Sequence, residues 1–117
     1  MDFFKQLLGG GGNGVSAQEA QARLSGQDAP LLIDVRQPDE YRAGHIRGAK
    51  LIPLDQLDKR MKELPHDREI LCVCRSGARS GAATRQLKAA GFNTLNLSGG
   101  MMAWQRAGLP VENGKAR

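Results

Sequence analysis

Apolar and polar positions change their period along this chain, and the changes mark its elements. Leu31-Leu32-Ile33-Asp34-Val35 is an apolar run with one polar break, the pattern of a strand buried on both faces of a parallel sheet. Glu69-Ile70-Leu71-Cys72-Val73 repeats that pattern and is the best central strand, delivering the chain directly to Cys74. Ala49 to Ile52, stopped by Pro53, and Asn93 to Leu97 supply two more strands. Between them the period becomes helical. Ser16 and Glu19 match a capping box that opens a helix reaching about Leu24. Pro38, Asp39 and Glu40 suit the first turn of a short helix that Gly44 closes. Leu54, Leu57, Met61 and Leu64 recur at helical spacing until Pro65. An alanine-rich stretch from Arg79 or Ser80 through Leu87 and Ala90 reads as a helix ended by Gly91. Gly99-Gly100 opens a last helix containing Trp104, closed by Gly108 and Pro110.

Strands alternating with helices imply an α/β domain with a mostly parallel sheet and helices on both faces. At 117 residues the chain fits one domain with a real core. The run Gly9-Gly10-Gly11-Gly12-Asn13-Gly14 is costly to order, so residues 1–14 are expected to form an amino-terminal segment and linker, 15–112 the domain and 113–117 a tail. Residues 1–8 carry Phe3, Phe4, Leu7 and Leu8 but also Asp2 and Lys5, too short and polar for a signal peptide or membrane span. A frayed tail is preferred there over an amphipathic contact with a membrane or partner.

A net charge of +5 raises the question of nucleic acid, but basic residues alternate with acidic ones and no basic stripe interleaves with aromatics. No nucleic-acid partner is expected. The two cysteines, Cys72 and Cys74, stand too close in one strand to staple distant segments, and a reducing cytoplasmic setting fits best. Two cysteines and two scattered histidines, His45 and His66, do not have zinc-site spacing, so neither metal nor cofactor is expected.

Cys74 occupies the place where open α/β sheets bind ligands, the carboxyl end of a strand. The loop that follows, Arg75-Ser76-Gly77-Ala78-Arg79, is short enough to curl until several backbone N–H groups point at one spot. Those dipoles, the helix amino terminus and the charges of Arg75 and Arg79 favour a thiolate at Cys74, which then needs no general base. Cys72, inside the strand, reads as a packed core thiol rather than a resolving one.

These residues resemble the rhodanese family. Asp34-Val35-Arg36, Glu40-Tyr41, Gly44-His45-Ile46, Gly48-Ala49 and Ile52-Pro53 look like the first half of a rhodanese domain. The loop from Cys74 to Ser80 resembles the family's active-site loop, and Leu97-Ser98-Gly99-Gly100-Met101 with Ala103-Trp104 its closing signature. In order they cover the chain from about Ser16 to Pro110.

The resemblance implies a five-stranded sheet, Cys74 as a sulfur carrier, and the amides of Arg75 to Arg79 cradling a persulfide. It implies a small anionic donor such as thiosulfate and a thiol, cyanide or sulfur-accepting protein as recipient. Asp34, Arg36, Glu40 and His45 fall at family positions and are read as braces around the loop, Trp104 as core. A sulfur-carrier or partner-binding module is the alternative. A phosphatase or arsenate reductase on the same scaffold is less favoured, because those enzymes place one more residue between cysteine and arginine than Arg75, Ser76, Gly77 and Ala78 provide.

Overall fold

The structure is a computed structural model and describes residues 14–115. The expectations for residues 1–13 and for the end of the tail lie outside the described residues.

The chain runs β1 (Gly14–Val15), α1 (Ala17–Leu24), β2 (Leu31–Asp34), α2 (Pro38–Ala43), β3 (Lys50–Leu51), α3 (Leu57–Arg60), β4 (Ile70–Val73), α4 (Ala78–Ala89), β5 (Thr94–Leu97) and α5 (Gly100–Arg106). The strands pair in the order β1-β5-β4-β2-β3, every pair parallel. Alternation along the strands divides the core between the two sheet faces. Leu32, Leu71, Val73 and Leu97 pack with Ala20 of α1, Tyr41 of α2, and Met101 and Trp104 of α5. Ile33, Val35, Ile70, Cys72 and Cys74 pack with Leu57 of α3 and with Ala83 and Leu87 of α4. Cys74 therefore leaves the sheet on the α4 side. Trp104 is buried and its indole donates to Pro110 O at 2.8 Å, a core role. Among the described residues no helix is long and apolar enough to cross a membrane.

Two expectations need correction. Gly14, given to the linker, pairs with Asn96 as β1, and Val15 beside it is buried, so the sheet claims the last glycine of the run. The stretch from Leu54 is not one helix: 3₁₀ turns at Leu54–Gln56 and Met61–Glu63 flank the four-residue α3. The Arg60 guanidinium grips Glu63 three residues on, at 3.0 and 3.2 Å, and three-residue spacing is what a 3₁₀ turn superimposes. The Ser16–Glu19 capping box is formed as expected, at 3.1 and 3.4 Å.

The segment after β5 fixes the chain after β4. At the start of α5 the amide of Met101 donates to Cys74 O at 2.8 Å, and that of Met102 to Arg75 O at 3.0 Å. This approach needs Gly100, which has φ +56°; a Cβ there would stand 2.4 Å from Cys74 O and 2.6 Å from Arg75 O. Gly100→Ala should therefore destabilise the protein by about 2 kcal/mol or more, overpacking adding to the cost of a left-handed backbone. Urea unfolding measures this, and wild-type stability in the variant would mean the contact is looser than described.

Candidate active site

The turn from β4 into α4 gathers polar groups around one sulfur. Gly77, at φ +105°, caps α4 and brings its amide to within 3.1 Å of Cys74 Sγ. Ser80, in the first turn of α4, places its hydroxyl 3.3 Å from the same sulfur. The backbone amides of Ser76 and Ser80 lie close enough to favour charge on it. Burial pushes the Cys74 thiol up, but the Ser80 hydroxyl and the amides of Ser80, Gly77 and Ser76 together outweigh it, and the net shift is downward.

Cys72 is the internal comparison. Neither sulfur residue reaches solvent, Cys74 being 1% exposed and Cys72 0%, but Cys72 lies much deeper, so depth and polar surroundings both distinguish them. Burial pushes the Cys72 thiol up to about 12, against only a weaker hydrogen bond with Thr84. Cys72 is a packed core thiol, whereas Cys74 is a buried sulfur in a shell of donors. Arg75, Ser76 and Ala78 are exposed, so what covers Cys74 is the single surface layer of its own loop.

Of Arg75 and Arg79, both predicted to add charge beside the sulfur, Arg75 is exposed and Arg79 is shared with a carboxylate. Arg79 is committed to Glu40, with guanidinium nitrogens 2.7 and 2.8 Å from the two carboxylate oxygens. Hydrogen bonding to Arg79 is the main reason the Glu40 carboxyl falls to about 2, burial opposing and the Gln37 amide assisting. Arg79 thus ties α4 to α2 while its charge still attracts an anion at Cys74, and the downward shift at Cys74 comes mainly from neutral donors.

The other predicted residues form braces. Arg36 reaches Asp34 through Nε at 2.9 Å and Nη2 at 2.8 Å, and the same Nη2 donates to Gly44 O at 2.7 Å. This pair is buried where β2 ends beside β4. His45 donates from Nδ1 to Tyr41 O at 2.7 Å, stacks on the Tyr41 ring at 3.7 Å, and exchanges backbone hydrogen bonds with Glu112. It pins the carboxyl-terminal segment. His66 stacks on Phe92.

Two residues escaped the predicted site, which ended at Arg79. Ser80 supplies both an amide and a hydroxyl to the sulfur. Asn96 accepts from Ser80 Oγ at 2.6 Å through Oδ1 and donates from Nδ2 to Gly77 O at 3.2 Å. Ser80 was legible as a first-turn polar residue six positions after the cysteine. Asn96 carried one signal, a polar residue inside an apolar strand.

A family model described as Rhodanese-like domain matches residues 16–107. A sulfurtransferase of Allochromatium vinosum is 40% identical over 100 residues, 85% of this chain and 94% of that protein. Among solved structures, a rhodanese-related protein from Thermoplasma volcanium superimposes with a TM-score of 0.82 at 29% identity, over 87% of this chain and 99% of that one. A thiosulfate sulfurtransferase from Pseudomonas aeruginosa gives a TM-score of 0.81 at 30% identity, over 89% of this chain but 21% of its own.

The Glu40–Arg79 pair makes a pH prediction. A carboxyl whose value falls from 4.5 unfolded to about 2 folded contributes stability above pH 4.5 that is lost as pH drops toward 2. Glu40→Gln should flatten that part of the acid limb in thermal melts, by about 1 kcal/mol or less because both side chains are partly solvated. Glu63, also held at about 2, keeps its own share of the slope. An unchanged acid limb would show that the pair contributes no net stability.

Proposed function

The chain belongs to the rhodanese-like domain family, and from that membership and the donors aimed at Cys74 we propose that it is a sulfurtransferase working through a persulfide on Cys74. Its likeness to the Allochromatium vinosum sulfurtransferase, which it spans almost completely, supports sulfur transfer as the reaction class. The observation that carries the reading is the ring of N–H and O–H groups around Sγ, with Gly77 N at 3.1 Å and Ser80 Oγ at 3.3 Å.

The reaction follows from those groups. The Cys74 thiolate attacks the outer sulfur of a donor such as thiosulfate. A new S–S bond forms to Sγ, the donor's own S–S bond breaks, and its electron pair leaves with sulfite. Charge is conserved and no proton moves, so a preformed thiolate replaces a general base. An acceptor thiolate or cyanide then attacks the outer persulfide sulfur, and Sγ departs as a thiolate. Donors that stabilise this sulfur anion keep the thiol ionised for the first step and stabilise the departing thiolate in the second. The exposed Arg75 stands at the mouth for an anionic donor, while Arg79 is paired with Glu40. Thiosulfate binding is accordingly proposed to rest on Arg75 and the loop amides of residues 75 to 79 more than on the Arg79 charge.

Intact-protein mass spectrometry after thiosulfate treatment tests this. The wild type and Cys72→Ser should each gain one sulfur atom, removable by cyanide, and Cys74→Ser should gain none while unfolding normally. A mass gain in Cys74→Ser, or none in the wild type with any sulfane-sulfur donor, would contradict the proposal. Arg75→Ala should raise the KM for thiosulfate roughly tenfold with a smaller effect on uncharged persulfide donors, the loss typical of one charge-assisted contact. Equal losses for both donor types would remove the electrostatic role of Arg75.

A further inference from the structure

The Ser80 hydroxyl has one proton and two acceptors. Its oxygen lies 2.6 Å from Asn96 Oδ1 and 3.3 Å from Cys74 Sγ. The orientation of the Asn96 amide is fixed, because its other end donates to Gly77 O at 3.2 Å and so turns Oδ1 toward Ser80. Ser80 is fully buried, so no bulk water relieves the competition. The four residues close a circuit: Gly77 N donates to Cys74 Sγ, Gly77 O accepts from Asn96, Asn96 accepts from Ser80, and Ser80 faces Sγ.

We infer that Ser80 moves its hydroxyl hydrogen bond between Asn96 Oδ1 and Cys74 Sγ as charge on that sulfur comes and goes, and that this exchange assists release of sulfur from the persulfide. The inference rests on the persulfide reading and adds a specific role within it. In the persulfide the negative charge sits on the outer sulfur, Sγ is a poor acceptor, and the hydroxyl keeps its short bond to Asn96. When an acceptor thiolate or cyanide attacks the outer sulfur, the bond between the two sulfurs breaks and its electron pair passes to Sγ. The hydroxyl then turns to the forming thiolate, and Asn96 Oδ1 gives it up. No proton is transferred; a hydrogen bond changes acceptor. Because the bond to Sγ is stronger in the transition state than in the persulfide, it accelerates discharge. In the charging step the same bond is lost as the thiolate attacks, so it gives no acceleration there. Ser80 touches a reacting atom and is catalytic in this sense, and Asn96 is a positioning residue acting through Ser80.

The prediction separates the two half-reactions and the two variants. Ser80→Ala should raise the Cys74 thiol pKa and slow single-turnover discharge by cyanide roughly ten- to a hundredfold, the effect of one hydrogen bond to a charged group, with thiosulfate charging of the ionised thiol slowed far less. Asn96→Ala releases the hydroxyl to the sulfur full-time and should lower the thiol pKa. A mere bracing role for the circuit moves the pKa of both variants the same way and slows both half-reactions alike. That result overturns the inference, as does an unshifted pKa in either variant. If Ser80→Ala does not fold, Asn96→Ala decides alone, a lowered pKa supporting the exchange and a raised or unchanged one refuting it. The titration, by thiolate absorbance on Cys72→Ser backgrounds, uses the free thiol without any sulfur donor. Failure of the persulfide reading shows separately, as absence of a mass gain in the unaltered protein.

Discussion

A peptide unit has two polar ends, and where its carbonyls are held decides where nearby amides can point. Here the carbonyls of Cys74 and Arg75 are taken by the amides of Met101 and Met102 at the start of α5. With that side of the loop fixed, the left-handed turn at Gly77 swings the following amides back toward Cys74, and α4 begins with Ser80 beside the sulfur. Gly77 itself lies against Gly99, 3.3 Å from the position of an added Cβ to Gly99 N. Small residues on both segments let two stretches of backbone meet where side chains would keep them apart. The parallel sheet makes the meeting local, since β4 and β5 are neighbours and end side by side.

The electrostatics follow from this packing. A sulfur anion buried without partners is costly, as the thiol of Cys72, pushed up to about 12, illustrates two residues away. Cys74 lies less deep but is also closed to solvent, and its shift goes the other way because hydroxyl and amide donors take the place of water. Two of the full charges in the neighbourhood are paired, Arg79 with Glu40 and Arg36 with Asp34, although Arg79 still attracts charge at Cys74. Oriented neutral dipoles around a sulfur with paired ions behind them suit a site that must accept negative charge at one atom and release it again.

Much of this architecture was legible because it is local. The apolar runs at Leu31 to Val35 and Glu69 to Val73 gave strands within a residue of those observed, and the loop after Cys74 announced itself through Gly77 and its place between strand and helix. What stayed hidden depends on partners distant in sequence. Arg79 reads as a free cation until the fold brings Glu40, 39 residues earlier, against it. Asn96 gains meaning only when β5 aligns beside β4, placing it level with Cys72 and in reach of Ser80. Gly14 looked like linker because a glycine run has no periodicity, and only its pairing with Asn96 makes it a strand. The break-up of the Leu54 to Glu63 stretch followed from three-residue hydrogen bonds and the Arg60–Glu63 pair, which the same apolar spacing does not reveal.

The central claim is that backbone and hydroxyl donors hold an anion at Cys74 Sγ, and proton–nitrogen NMR spectra recorded through the thiol titration test it most directly. The amide resonances of Ser76, Gly77 and Ser80 should move downfield together, with one midpoint below that of an ordinary cysteine, and should stay still in Cys74→Ser. Amides that ignore the titration, or a midpoint above the ordinary thiol value, would contradict the account.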